Sequence, residues 1–223
     1  MQNSISVILH YFIGVGAFFA FILALLFPKG SLSHRIAGSV AVGLYFLVML
    51  SGLLAGVRHH FYKDNTLKMM LWMQTFFAFT LIVQGISAQR NKGELTKIKL
   101  LNLQLATAAF VFAICTAVVG GLVSQSISCL LGIMVALFAA KNFVVFYLGT
   151  PTKNSWIYFH SSAMITSGAL LLLNGTGFFG VHDVLDLEGV VSWSRVLKSI
   201  APFFIFVEMI DYWLYKKYFA FSK

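Results

Sequence analysis

Apolar residues run in long unbroken stretches along most of the chain, and short polar segments separate them. Each stretch has about the 20 residues that a helix needs to cross a bilayer. The stretches lack the alternation of barrel strands, and only helices or closed barrels satisfy backbone polar groups in lipid. The pattern predicts seven membrane-spanning helices, over residues 4–27, 34–56, 67–88, 100–123, 127–148, 156–178 and 197–215.

Composition narrows the class of protein further. Of the 223 residues 59% are apolar and only 10% are charged, with a mean hydropathy of +0.87. A soluble domain carries about 25% charged residues. These values exclude a soluble enzyme, a disordered chain and a secreted disulfide scaffold, and Cys115 and Cys129 form no CxxC motif. We predict a single all-α domain over residues 1–223, a multi-pass protein whose main partner is the lipid bilayer.

Turn-forming residues mark the boundary between the first two predicted helices. Pro28 and Gly30 end the first apolar run. A serine just before a helix can accept a hydrogen bond from a free backbone N–H, and Ser33 is expected to cap the second helix in this way.

The basic residues predict an orientation, because lysine and arginine concentrate in cytoplasmic loops. The odd-numbered loops and the C-terminus carry ten: Lys29, Arg35, Arg90, Lys92, Lys97, Lys99, Lys153, Lys216, Lys217 and Lys223. The other side carries five: Arg58, Lys63, Lys68, Arg195 and Lys198. We expect the N-terminus outside and the C-terminus in the cytoplasm of a bacterial inner membrane, with residues 182–196 as an outer loop. The net charge of +9 is explained by these loops and indicates no nucleic-acid partner.

Histidines provide the main candidate chemistry. In this orientation two lie near the cytoplasmic end, His34 and His160, and four near the outer end, His10, His59, His60 and His182. Two neutral imidazoles on facing helices at one depth can take both axial positions of a haem iron. His34 and His160 are therefore the expected ligands of a haem b, and His10 with His59 or His60 would hold a second haem. The alternative for the outer end is a metal site formed by His59 and His60 with His10 and His182.

Small residues accompany these histidines. Gly38 lies one turn after His34 on the same helix face, followed by Ala41 and Tyr45. The small side chains of Gly38 and Ala41 leave room for a flat macrocycle. The alternative is that glycine and alanine serve close helix packing in lipid and that the histidines are interfacial or hydrogen-bonded residues without a metal.

Three ionisable residues fall inside predicted spans: Lys141, Glu208 and Asp211. Isolated charges at such depth are costly and face a partner or a polar cavity. Lys141 and Glu208 lie at matching distances from the inner ends of their spans, which predicts a pair, and Asp211 lies one turn below Glu208. The alternative is that Lys141 extends to the cytoplasmic interface.

No sequence motif assigns a catalytic reaction. The chain has no HExxH, no GxSxG and no phosphate-binding loop. Whether the protein is an enzyme stays open on the sequence.

Three histidine motifs resemble a bacterial family of predicted membrane proteins of unknown function. They are Leu9-His10-x-x-x-Gly14, then His34-Arg35-x-x-Gly38 running into Ser51-Gly52, and His160-x-x-x-Met164-Ile165-x-Ser167. They occur in the family's order and cover about a third of the chain. More loosely, the histidine-bearing bundle resembles the di-haem cytochrome b group.

The resemblance implies a histidine-bearing helical bundle but transfers no activity. Ser161 and Ser162 stand where the family has arginine, and Gly168 stands where it has tyrosine. An anion-binding role of those arginines therefore does not carry over to this chain.

The leading interpretation is an integral membrane protein that binds haem b and transfers electrons within the bilayer. A proton-coupled or small-solute carrier that uses the charged residues is an alternative. A non-catalytic membrane subunit or assembly factor is another. A redox partner or a second copy of the chain is a possible partner in each case.

Overall fold

The computed structural model of the chain describes residues 2–57, 65–92, 95–122, 126–148, 154–184 and 205–220. These residues are almost entirely helical, and no strand occurs among them. The helices are α1 (Gln2–Leu26), α2 (Leu32–Val57), α3 (Asn65–Arg90), α4 (Leu95–Leu122), α5 (Ser126–Leu148), α6 (Ser155–Val184) and α7 (205–215), and a π-helical turn, Lys216–Ala220, continues α7.

The first six predicted helices are confirmed as helices, with bounds that differ by a few residues at most ends. α6 is the exception, because it continues to Val184 instead of ending near residue 178. His182 and Asp183, which we expected in the outer loop, are thus part of α6, and residues 185–196 lie outside the described part. Of the seventh predicted helix, residues 205–215 are helical, and residues 197–204 are not described.

Within the described part of the chain, three helical segments are long and apolar enough to cross a membrane: Ile8–Leu26, Leu32–Leu54 and Lys99–Leu122. A fourth apolar helical segment, Leu131–Val145, is shorter. Large apolar side chains such as Phe12, Leu26 and Leu122 are exposed on these helices. An apolar outer surface of this kind suits contact with lipid rather than with water.

Four helices form a ring in which each packs against the next: α1 on α2, α2 on α3, α3 on α6 and α6 on α1. α2 and α6 therefore lie across the ring from each other. α4 and α5 form a tightly packed hairpin that lies against α3. α3 is thus the central helix, and its buried side chains include Met73, Phe77, Leu81 and Ile82.

Glycine at position 132 permits the closest approach in the α4–α5 hairpin. A Cβ at Gly132 would lie 2.6 Å from the backbone nitrogen of Ala117 and 2.8 Å from the carbonyl oxygen of Ala113. Backbone atoms of a helix cannot move aside as a flexible side chain can, so any larger residue separates the two helices. Small residues at such crossings are the usual means of helix packing in lipid.

We predict that Gly132→Ala lowers the thermal stability of the detergent-solubilised protein, because overpacking a tight contact costs about 1–3 kcal/mol. Gly43→Ala is the matched control, since a Cβ at Gly43 would meet no atom of the described residues within 4 Å. It should leave the melting temperature unchanged or raise it, because alanine favours a helix over glycine by about 1 kcal/mol. Equal melting temperatures for the two variants would contradict the close α4–α5 contact.

Candidate functional site

The C-terminal end of α1 has a backbone carbonyl that lacks its usual donor. Helical bonding would give the Ala24 carbonyl the amide hydrogen of residue 28, but Pro28 has none. The His34 imidazole of α2 supplies the donor instead, with its Nδ1 atom 2.7 Å from the Ala24 oxygen. Because a carbonyl only accepts, this bond places the hydrogen on Nδ1 and leaves the lone pair of the neutral ring on Nε2.

The turn between α1 and α2 positions His34 through its backbone. Gly30 has a φ of 83°, in the left-handed region that favours glycine. The backbone nitrogen of His34 donates to Ser31 Oγ over 3.1 Å, so Ser31 caps α2. The cap predicted at Ser33 is therefore wrong. Ser33 follows the first residue of α2, whereas a capping residue must precede the helix.

His160 has the same arrangement on the opposite helix of the ring. Its Nδ1 atom lies 2.9 Å from the Gly85 carbonyl oxygen of α3 and donates to it, which again leaves the lone pair on Nε2. Gly85 lies where α3 and α6 pack closely, since a Cβ there would lie 2.5 Å from Met164 Cε, the end of a flexible side chain. The two helices are close enough for the histidine of α6 to reach the α3 backbone.

The structure places His34 and His160 at the same end of the four-helix ring, on α2 and α6. The two imidazoles are within range of a mutual electrostatic interaction, and the Lys29 and Lys92 ammonium groups also act on His160. Lys92 lies 4.1 Å from the centre of the Trp156 ring. The surroundings of the two histidines are therefore basic.

Lys29 helps to complete the end of α1. Its Nζ atom donates to the Leu25 carbonyl oxygen over 3.3 Å. Partial burial lowers the pKa of Lys29 below its ordinary value, because desolvation disfavours the charged form. His34 donates to the Ala24 carbonyl and Lys29 donates to the Leu25 carbonyl, so two basic side chains satisfy consecutive carbonyls at the C-terminal end of α1. The helix dipole favours positive charge at this end.

His10 lies toward the other end of α1 and is bonded to a side chain. Its Nδ1 atom is 2.6 Å from Ser51 Oγ. Ser51 donates its own hydrogen to the Val48 carbonyl oxygen over 2.8 Å, so it accepts from His10. This third described imidazole therefore also has its lone pair on Nε2.

The other predicted ligands of the outer site are not brought together with His10. His59 and His60 lie outside the described residues, and His182 lies in α6 without a described side chain. Within the described part of the chain, no group of three or more His, Cys, Asp or Glu side chains is arranged to hold a metal ion. Two histidines that bind a haem iron would be fewer than the three side chains that define such a group.

Open space near His34 fits a bound haem, and an unpaired hydroxyl lies deeper along α2. The Tyr45 side chain is buried, and its hydroxyl has no hydrogen-bond partner among the described residues. Tyr45 lies three helical turns from His34 on the same face of α2. A Cβ at Gly38 would meet no described atom within 4 Å, so there is open space one turn from His34. An unsatisfied buried hydroxyl is unusual and points to a missing partner.

A second polar site joins α5 and α7. Lys141 Nζ lies 2.7 Å from Glu208 Oε1, the pair that the matching depths predict. It also lies 3.0 Å from Asp211 Oδ2, so one ammonium bridges two carboxylates. The Lys141 ammonium is 4.8 Å from the centre of the Phe138 ring.

Asp211 is the buried member of this cluster. Its side chain is 6% exposed, compared with 48% for Glu208. Ser162 Oγ donates to Asp211 Oδ1, and Tyr158 donates from its hydroxyl to Oδ2 over 3.2 Å. Sequence reasoning did not find the two α6 residues, although their spacing of four places Tyr158 and Ser162 on one helix face.

Comparison with known proteins finds no relative of this chain. No family model, no curated protein and no solved structure matches the chain. The resemblance to the family of predicted membrane proteins therefore stays a prediction, and the functional argument rests on the residues and their geometry.

We predict that Lys141 is coupled more strongly to Asp211 than to Glu208. Removing Lys141 strands a buried carboxylate at Asp211, whereas Glu208 is half exposed. Double-mutant cycles on thermal stability, with Lys141→Met combined with Asp211→Asn or with Glu208→Gln, measure both couplings. Contacting residues give coupling energies of about 0.5–3 kcal/mol.

Met209→Leu serves as the control for this experiment, because Met209 is an exposed neighbour on α7 and the change conserves volume. Its effect should add to that of Lys141→Met. A coupling near zero between Lys141 and Asp211 would mean that the ammonium extends to the interface instead.

Proposed function

We propose that this chain is an integral membrane protein of seven spanning helices that binds haem b through His34 and His160 and passes electrons within the bilayer. Three helices with the length and hydropathy of spans support the membrane location. The further spans and the bacterial inner membrane belong to the proposal.

The end of the bundle that carries His34 and His160 has the features of a membrane interface. Lysine ammonium groups lie over aromatic rings there, as Lys92 does over Trp156, Lys216 over Tyr212 and Lys217 over Trp213. Amphipathic aromatic rings collect at the headgroup level, and lysines concentrate on the cytoplasmic side. We therefore assign this end to the cytoplasm and the N-terminus to the outside.

The observation that carries the haem proposal is the state of the two imidazoles. His34 and His160 lie on opposite helices of one ring, and each donates its Nδ1 hydrogen to a backbone carbonyl. Metal-bound histidines characteristically make such a bond, because it fixes the ring and presents Nε2 to the metal. Neither ring has to give up a proton to bind iron.

The residues of the chain would perform distinct tasks around the haem. His34 and His160 would hold the iron, and the carbonyls of Ala24 and Gly85 would orient their rings. Lys29 and Lys92 would balance the carboxylates at the haem edge. A bound haem would supply a one-electron couple, which its histidine ligands and the buried surroundings would tune.

We predict that the protein, expressed with ample haem and purified in detergent, shows a Soret band that shifts on reduction with dithionite. His34→Ala and His160→Ala should each remove the low-spin haem signal while the protein stays inserted in the membrane. Added imidazole should restore part of that low-spin signal, because it can replace the missing ligand.

His10→Ala is the matched control for the haem experiment, since His10 has the same tautomer but lies toward the other end of α1. It should leave the haem of the His34–His160 site in place. Retention of all haem in the double variant His34→Ala/His160→Ala would exclude this ligand pair, and a colourless wild type would exclude haem binding.

The orientation predicts the behaviour of C-terminal fusions. With the C-terminus in the cytoplasm, a fluorescent-protein fusion should fluoresce, and an alkaline-phosphatase fusion should be inactive because the enzyme needs the oxidising outer compartment for its disulfides. An active phosphatase fusion would reverse the orientation and place His34 and His160 at the outer end.

A further inference from the structure

The exposed face of α7 carries one charged residue in an apolar surface. Ile205, Glu208, Met209 and Tyr212 recur at the spacing of one helix face, and all four are exposed on the described bundle. Glu208 is 48% exposed. In contact with lipid, an ionised carboxylate on such a face is strongly disfavoured.

The charges of the cluster do not balance. Lys141 contributes one positive charge, and Glu208 and Asp211 contribute two negative charges if both are ionised. In a medium of low dielectric constant the remaining negative charge is costly. One additional proton makes the cluster neutral.

The geometry decides which carboxylate takes this proton. Asp211 accepts on both oxygens, from Ser162, Tyr158 and Lys141. Hydrogen bonds to the ionised form favour that form. Glu208 accepts on Oε1 from Lys141, and no bond to its Oε2 atom is seen in the described part of the chain. Glu208 Oε2 is the position at which a proton displaces no donor.

We propose that Glu208 is a proton-binding site that faces the lipid, with Lys141 and Asp211 as the permanent ion pair beside it. Binding adds one proton to Glu208 Oε2 and converts the cluster from a net charge of −1 to neutral, while Lys141 donates to Oε1 in both states. The proposal rests on the membrane location of the proposed function and not on haem.

Few other titratable groups lie close to Glu208. Among the described residues, the titratable groups near Glu208 include Lys141 from α5, Tyr158 from α6, and Asp211 and Tyr212 from its own helix. Lys216, one turn beyond Asp211, lies over the Tyr212 ring instead. The charge on the cluster is therefore set by the Lys141 ammonium and the two carboxylates.

The proposal is tested by labelling the full-length protein with dicyclohexylcarbodiimide in detergent and in lipid nanodiscs. This apolar reagent modifies protonated carboxyl groups in apolar surroundings and does not react with carboxylates. We expect modification of Glu208 at neutral pH, located by peptide mass spectrometry, and its loss at alkaline pH. Asp211 should stay unmodified throughout.

Variants complete the design. Glu208→Gln should abolish the modification, and Met209→Leu, the exposed neighbour, should leave it unchanged. Lys141→Met should extend the modification of Glu208 to higher pH, because the stabilising positive charge is lost. The wild-type pH series needs no variant, so it decides the proposal even where a variant fails to fold.

Three outcomes would overturn the proposal: no modification of Glu208 at neutral pH, modification that does not change with pH, or modification of Asp211 in its place. Haem absorbance is measured on the same samples and should be equal in wild type and Glu208→Gln. A colourless protein with pH-dependent labelling would contradict the haem proposal alone, and a red protein without labelling would contradict the proton site alone.

Discussion

The bond from the His34 imidazole to the Ala24 carbonyl links the sequence of the first turn to the chemistry of the site. Pro28 removes the hydrogen that would satisfy this carbonyl, and a buried carbonyl without a donor is costly. His34 supplies the donor from α2. The same bond ties two helices together, selects the tautomer of the ring and leaves Nε2 for a ligand.

α6 connects the two polar sites of the molecule. His160 points to α3, where it bonds the Gly85 carbonyl, while Tyr158 and Ser162 bond Asp211 of α7. Residue 160 lies about 200° around the helix from residue 158, so these side chains leave α6 on opposite faces. One helix thus positions a histidine for the ring of α1, α2, α3 and α6 and two hydroxyl groups for the carboxylate on its other side.

The positions of most helices could be predicted from the sequence, because apolar stretches between basic and turn-forming residues determine where helices form in lipid. The approach of Lys141 to Glu208 could be anticipated from matching depth alone. Its second bond, to Asp211, could not, because depth says nothing about which way a side chain points around its helix.

Other features depended on local geometry that the pattern of residues does not contain. Ser31 and Ser33 both precede His34, and only the structure shows that α2 begins at Leu32, so that Ser31 is the cap. Gly85 and Gly132 read in sequence as ordinary small residues of a membrane helix. Only the structure shows which atoms a Cβ would meet, the flexible end of Met164 at Gly85 and the α4 backbone at Gly132.

The most direct test of the account is a low-temperature electron paramagnetic resonance spectrum of the oxidised, haem-loaded protein. If His34 and His160 both bind the iron, the ferric haem has two strong imidazole ligands, so the account predicts a low-spin signal that each single histidine variant converts to high spin. A wild-type protein with only high-spin ferric haem, or a low-spin signal that survives both substitutions together, would contradict it.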